Sequence, residues 1–181
     1  MLIITGMDNS GKTTLANQVV DIFNIMREED EKEFQILKSP GPIGEAQKDW
    51  VVQQLVSYIP ENHLIYERFP ILEELVYGKI LRRSSVFDYN DSYFQLLKKQ
   101  NPVIVYTRPS RHRIFQFEDR PQMDGIIDNK NLLLDTYDDL IFKMLSEGWR
   151  ILIYDYEVST PEKVVKAYLL SQVLEELKGG M

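Results

Sequence analysis

The sequence predicts an α/β domain: a parallel sheet of five strands with helices packed on both faces. Three observations predict it. Short apolar runs alternate with longer stretches whose apolar residues recur at helical spacing. A glycine-rich turn lies between the first apolar run and the first amphipathic stretch. The length of 181 residues, with 44% hydrophobic and 27% charged content, suits one ordinary domain with a buried core.

Strands are expected at 2–5, 34–38, 64–66, 103–107 and 151–154, each apolar, short and bounded by polar or turn-forming residues. Between them about seven helices are expected. Leu15, Val19, Ile22, Phe23 and Met26 make one helical face, and Leu133, Tyr137, Leu140, Ile141 and Met144 make another. The last helix carries Val165, Tyr168, Leu169, Val173 and Leu177; Ser159 and Thr160 precede Pro161 at its start, and Gly179 and Gly180 follow its end. The charged run 27–33 reads as a solvated connector. No repeat or linker divides the chain, so residues 1–181 are expected to form a single domain.

Composition narrows the function classes. No apolar run approaches the roughly 20 residues of a membrane span, and the start leads directly into Leu2, Ile3 and Ile4 without the charged region of a signal peptide. There are no cysteines, which excludes disulfides and thiolate chemistry and suits a cytoplasmic location. The net charge of −7 disfavours bulk nucleic-acid binding. His63 and His112 form no metal-ligand pattern.

The turn after the first strand carries the chemistry. Gly6, Asp8, Asn9, Ser10, Gly11, Lys12 and Thr13 complete the pattern G-x-x-x-x-G-K-[ST], placed between a strand and a helix. The glycines let successive N–H groups curl toward phosphate oxygens, and the helix start adds its positive dipole end. Lys12 is suited to the β- and γ-phosphates of ATP, and the Thr13 hydroxyl to Mg²⁺. The expected fold is therefore the three-layer P-loop NTPase fold. Ligands of open α/β sheets bind at the carboxyl ends of strands, where Asp8, Lys38, Glu67 and Arg68 fall. Arg68 offers a planar fork for an acceptor phosphate, Glu67 could hold Mg²⁺ or its waters, and Asp8 suits a hydroxyl of the second substrate. Lys38 is either a substrate contact or a solvated lysine, and Phe69 either a base platform or core.

Residues 6–15, including Thr14, resemble the G-x-[DE]-x-x-G-K-[ST]-T loop of the thymidylate kinase family. The segment 38–45, Lys38-Ser39-Pro40-Gly41-Pro42-Ile43-Gly44-Glu45, is similar to that family's R-E-P-G-G-T-x-x-G-E. Glu67-Arg68-Phe69, with Tyr77-Gly78 beyond, resembles its Asp-Arg-aromatic motif. The resemblance implies a nucleoside monophosphate kinase using ATP and Mg²⁺, a small nucleotide acceptor, Asp8 on the deoxyribose 3′-hydroxyl, Tyr77 and Phe69 at the substrate, and a homodimer. It is a divergent resemblance of the kind met in virus-encoded nucleotide metabolism, which would place the enzyme in a host cytoplasm. Departures are Lys38 and Pro42 for an arginine and a glycine, and paired glutamates Glu73-Glu74 where a serine is common near Glu73, the first of which falls near the acceptor site.

Some members of that family carry an arginine in the loop directly after the aspartate; here Asn9 stands there, which moves the expected catalytic cations to a lid at about 108–126. Arg108, Arg111, Arg113 and Arg120 are its candidates, with Arg111, Arg113 and Arg120 favoured. Two other readings remain. A hydroxyl acceptor, a deoxynucleoside or a hydroxymethylated pyrimidine in DNA, would use Asp8 or Glu67 as base and could draw on Arg82, Arg83, Lys98 and Lys99. A nucleotide-dependent switch would carry N-K-x-D, of which Asn129-Lys130-Asn131 lacks the aspartate.

Overall fold

A computed structural model describes residues 1–39, 48–53, 63–82, 85–116 and 123–179. Five parallel strands form one sheet in the order β2-β3-β1-β4-β5: β1 Leu2–Thr5, β2 Gln35–Lys38, β3 Leu64–Glu67, β4 Val103–Thr107 and β5 Arg150–Tyr154. The helices are α1 Lys12–Met26, α2 Lys48–Gln53, α3 Pro70–Glu73, α4 Lys79–Leu81, α5 Ser92–Lys99, α6 Arg111–Ile114, α7 Lys130–Ser146 and α8 Pro161–Gly179. A π-helical stretch, Glu74–Gly78, joins α3 to α4 in one rod.

Alternation along the strands divides the core in two. Ile3, Tyr66, Ile104 and Tyr106 face one layer with the α3 rod, α5 and α7; Leu2, Ile4, Ile65, Val103 and Val105 face the other with α1 and α8. The connection from β3 to β4 crosses β1, so the strand ends around β1 flank the crevice where such sheets bind ligands. Their register sets Ile4 beside Glu67, Lys38 beside Glu67 and Thr5 beside Tyr106.

The expected strands differ only at their ends. Phe34 stays out of β2 because Asn24 takes both its backbone groups: Asn24 Oδ1 accepts from Phe34 N at 2.7 Å, and Nδ2 donates to Phe34 O at 3.2 Å. Its ring stacks on Phe23 at 4.4 Å. Glu67 joins β3 and Arg150 joins β5 through ladder pairs with Lys38 and Val103.

The α7 face is buried as expected. Two helical faces need correction. Met26 is 58% exposed, beyond the sheet's reach. In α8 only Val165 and Tyr168 of the expected set are buried; Leu169, Val173 and Leu177 lie on the opposite side, and Gly179 belongs to the helix. Among the described residues no helix is long and apolar enough to cross a membrane.

Candidate active site

The loop after β1 is held from beneath by β4. Thr107 Oγ1 donates to the Thr5 carbonyl at 3.0 Å, which leaves its oxygen to accept from Ser10 Oγ at 2.5 Å. Gly6 has φ +145, and a Cβ there would press on Thr107 Oγ1 and lie 2.6 Å from the Thr107 carbonyl. Only glycine fits. Gly11 has φ +87 beneath the Tyr156 ring, and Asn9 adopts a left-handed φ of 63. The Ser10 side chain, expected near the nucleotide, is therefore buried toward the sheet, while Thr13 and Thr14 open α1 with exposed side chains.

Lys12 is 4% exposed and folds back across the loop, its Nζ donating to the Met7 carbonyl at 2.7 Å, with Asp8 Oδ1 at 3.9 Å. Burial, reinforced by the nearby Arg68 charge, lowers its pKa to about 8. Such a lysine gains when a polyanion replaces the carbonyl.

Asp8 and Arg68 come together as predicted. Arg68 Nη2 is ion-paired with Asp8 Oδ1, and the Tyr77 hydroxyl accepts from Asp8 N at 3.1 Å and donates to Asp8 Oδ2 at 3.4 Å. Arg68 has a left-handed φ of 65, with its N–H donating to the Ile4 carbonyl at 2.9 Å. A non-glycine residue held so turns its side chain out of the strand's line toward the loop. Burial opposes its charge, but Glu73 and Asp8 outweigh burial and hold its pKa above the usual value.

Glu67 also meets its predicted neighbours. Thr13 Oγ1 donates to Glu67 Oε1, and Lys38 Nζ lies 3.4 Å from the same oxygen. Lys38 is 58% exposed and thus spans Glu67 and solvent. Phe69 is fully buried, edge-on to Tyr66 at 5.4 Å, so it is core and no platform for a base. The rest of 38–45 beyond Ser39 lies outside the described residues.

The sequence set Glu73 near this side of the site but did not show the buried polar cluster it anchors. Glu73 is fully buried; its Oε1 accepts from Tyr137 at 2.6 Å and Thr5 at 3.2 Å, and its Oε2 has no hydrogen-bond partner, as is true of Arg68 Nε. Burial raises the Glu73 pKa against the pull of Arg68 and Lys12. Glu73 thus sits beneath the Asp8–Arg68 pair. The signal was present: a carboxylate at a position whose neighbours Ile71, Leu72 and Val76 are core. The next residue, Glu74, is also buried and ion-paired with Arg82.

The described arginines after β4 have internal partners. Arg108 makes a two-pronged pair with Asp138 at 2.8 and 2.9 Å. Arg111 pairs with Asp135 and donates to Asn131 at 2.9 Å; Arg113 donates to Glu157 at 3.1 Å. Arg120 lies outside the described residues. Of these, Arg113 reaches a cleft of about 610 Å³ beside the loop, lined also by Asn9, Gly11, Thr14, Gln18 and Tyr156. Asn9 Nδ2 donates to the Gln116 carbonyl at 3.4 Å, closing the gap between loop and lid.

Two of the cations considered for DNA are internally engaged: Lys98 lies 3.7 Å from Glu147, and Arg82 is paired, while Arg83 lies outside the described residues. Lys130 sits over the Phe115 ring at 5.0 Å, at the start of α7. No group of three or more metal-ligating side chains occurs among the described residues. A Mg²⁺ ion would share Thr13 and Glu67 with nucleotide oxygens, and their contact fits that arrangement.

No protein-family model and no curated protein matches this chain. Solved structures do. The YorR protein of Bacillus subtilis, in complex with phosphorylated GDP, is similar over 97% of this chain and 96% of its own, with a TM-score of 0.69 at 17% identity. Deoxyadenosine kinase from M. mycoides with bound dCTP is similar over 97% and 100%, with a TM-score of 0.54 at 16% identity. At these identities the likeness establishes the three-layer α/β P-loop fold.

Proposed function

We propose that this chain is a P-loop kinase that transfers the γ-phosphoryl group of ATP to a pyrimidine deoxynucleoside monophosphate, dTMP, dUMP or a modified dUMP, giving the diphosphate. The observation that carries this reading is the cluster of Asp8, Arg68 and Tyr77 at the acceptor side of the loop, next to Lys12. A phosphate loop meant for ATP has no use for a carboxylate beside its lysine. A carboxylate and a guanidinium side by side suit an acceptor that bears both a sugar hydroxyl and a phosphate.

In the reaction, an oxygen of the acceptor phosphate forms a bond to the γ-phosphorus while the bond to the β–γ bridging oxygen breaks. The electron pair leaves with ADP, and the acceptor needs no base because it is already ionised. Lys12 follows the transferring charge, and Arg113 faces the nucleotide cleft; Thr13 and Glu67 would hold Mg²⁺, which would supply charge neutralisation on the phosphates. Deoxyadenosine kinase among the structural neighbours, and the nucleotides named with it and with YorR, support a nucleotide substrate.

The test is ADP formation with ATP and Mg²⁺ against a panel of deoxynucleoside monophosphates. Turnover with a pyrimidine monophosphate, lost in Lys12→Ala and with a raised acceptor KM in Asp8→Asn, is expected. Inactivity toward every monophosphate would sink the proposal.

One observation favours a second acceptor class. Arg68 already faces two carboxylates, Asp8 and Glu73, which leaves little positive charge for a phosphate. A neutral deoxynucleoside would instead give its hydroxyl proton to Asp8 or Glu67. Deoxynucleosides in the same panel separate the two readings.

A further inference from the structure

Two adjacent glutamates of the rod that begins with α3 are fully buried, and the fold accounts for one of them. Glu74 uses both carboxylate oxygens: Oε1 is ion-paired with Arg82, and Oε2 accepts from Val86 N at 3.3 Å. It ties the rod to the segment that follows, and Gly78 makes room for it, since a Cβ there would press on Oε2. Glu74 is a structural carboxylate. Glu73 is different. Its Oε1 accepts from the hydroxyls of Tyr137 and Thr5, but those two oxygens lie 3.5 Å apart and could bond each other around a neutral side chain. Its Oε2 is buried without a partner among the described residues. A half-satisfied buried carboxylate is less stable than an apolar replacement, so folding gives no reason to keep one here.

The charges above it supply the reason. Arg68 Nη2 is engaged by Asp8, while its Nε is buried and unpartnered among the described residues. Arg68 is the charge that acts most strongly on Glu73, and Glu73 acts on Arg68 more strongly than Asp8 does, although Asp8 is the residue in contact. The cause is burial: Asp8 borders solvent, which screens its charge, and Glu73 does not. Lys12, Arg68, Asp8 and Glu73 together are two charges of each sign. A substrate hydroxyl can take up Asp8. Glu73 is closed to solvent, so its charge stays on Arg68 when an acceptor arrives.

We propose that Glu73 is a specificity-determining residue that acts through Arg68. Its buried carboxylate offsets the guanidinium from beneath and lowers the affinity of this subsite for phosphate-bearing acceptors relative to the matching neutral deoxynucleosides. The inference rests on the acceptor reading of the Asp8, Arg68 and Tyr77 cluster, and it holds whichever of the two acceptor classes is turned over. Without the Glu73 charge, Arg68 presents its full charge to an acceptor phosphate once the sugar hydroxyl has engaged Asp8. A neutral acceptor brings Arg68 no anion and is indifferent to the change.

Calorimetry at neutral pH, with dTMP against thymidine and dUMP against deoxyuridine, reads the effect without turnover. Glu73→Gln keeps the shape of the side chain and an oxygen for Tyr137 and Thr5. It should bind each monophosphate roughly tenfold tighter and each deoxynucleoside within about twofold of the wild type. Tyr137→Phe removes a hydrogen bond that favours the ionised carboxylate and leaves the ring in place. It should shift monophosphate binding in the same direction by a smaller factor, and it decides the matter if Glu73→Gln does not fold. Glu74→Gln should leave the ratio of the two affinities unchanged. Equal changes for both ligand classes in Glu73→Gln, no change, or weaker monophosphate binding would make Glu73 structural and overturn the inference, with the acceptor site still standing. A wild type that binds neither class overturns the acceptor reading and the inference with it.

Discussion

The phosphate loop and the arginine segment after β4 meet across Asn9 and Gln116, yet they are held by opposite means. The turn of the loop beneath its charged side chains is fixed by buried neutral contacts: glycines without room for a Cβ, and a hydroxyl chain from Ser10 through Thr107 to the Thr5 carbonyl. The arginine segment is held by charges near water, Arg111 to Asp135 and Arg113 to Glu157, which are exposed pairs of small net worth. One region is preorganised, and the other is built to exchange partners. That difference suits a site whose phosphate cradle must not move while its cations must follow a migrating charge.

Substitutions break this comparison most strongly at the loop. Lys12→Ala should lower phosphoryl transfer roughly a thousandfold or more, measured as ADP formation. Gly6→Ala should cost about 2–4 kcal/mol in urea unfolding and abolish ATP binding by calorimetry, because backbone and side chain of Thr107 both block the new methyl group. Thr107→Val should cost about 1–3 kcal/mol in the same melt by leaving the buried Ser10 hydroxyl without its partner and removing a hydroxyl bond from the Thr5 carbonyl.

The arginine segment should behave differently. Arg111→Ala and Arg113→Ala should each change stability by less than about 1 kcal/mol. Arg113→Ala should still lower kcat by roughly tenfold to a hundredfold, since Arg113 lines the cleft, whereas Arg111 faces α7 and its loss should matter less. Equal kcat losses in the two variants would erase the distinction.

Acidity gives the most specific signal. The folded pKa of Lys12, about 8, lies below the ordinary lysine value of 10.5, so between those values the unfolded chain binds more protons. Stability contributed by this residue therefore rises with pH across that window, by something on the order of 3 kcal/mol, and Lys12→Met should lack the rise. Conversely, bound phosphates favour charged Lys12. ATP binding above pH 8 should take up a proton and weaken as pH increases, which calorimetry in buffers of different ionisation enthalpy detects.

Much of this was legible in the sequence. The strands were readable because short apolar runs in a parallel sheet are buried on both faces, and the loop because its glycines and Lys12 sit between strand and helix. Asp8 and Arg68 could be placed together because both follow strand ends. What failed was long-range. Ser10 and Thr107 are 97 residues apart in the chain, and no local pattern pairs two hydroxyls at that distance. Phe69 could be platform or core until Tyr66 was beside it. In α8, periodicity detected apolar residues but could not say that they occupy two faces, one of which has no partner within the described residues.

The pairing of Arg68 with Asp8 has a consequence for a site that has bound ATP but not yet an acceptor. On the kinase reading, water is always the competing acceptor, present at a concentration no metabolite approaches. A guanidinium already held by a carboxylate lends that water little help. Arrival of the true acceptor offers Asp8 a hydroxyl and Arg68 a new anion together, so the arginine is released to the chemistry only when the right molecule is in place. The pair acts as a safety catch against idle ATP turnover.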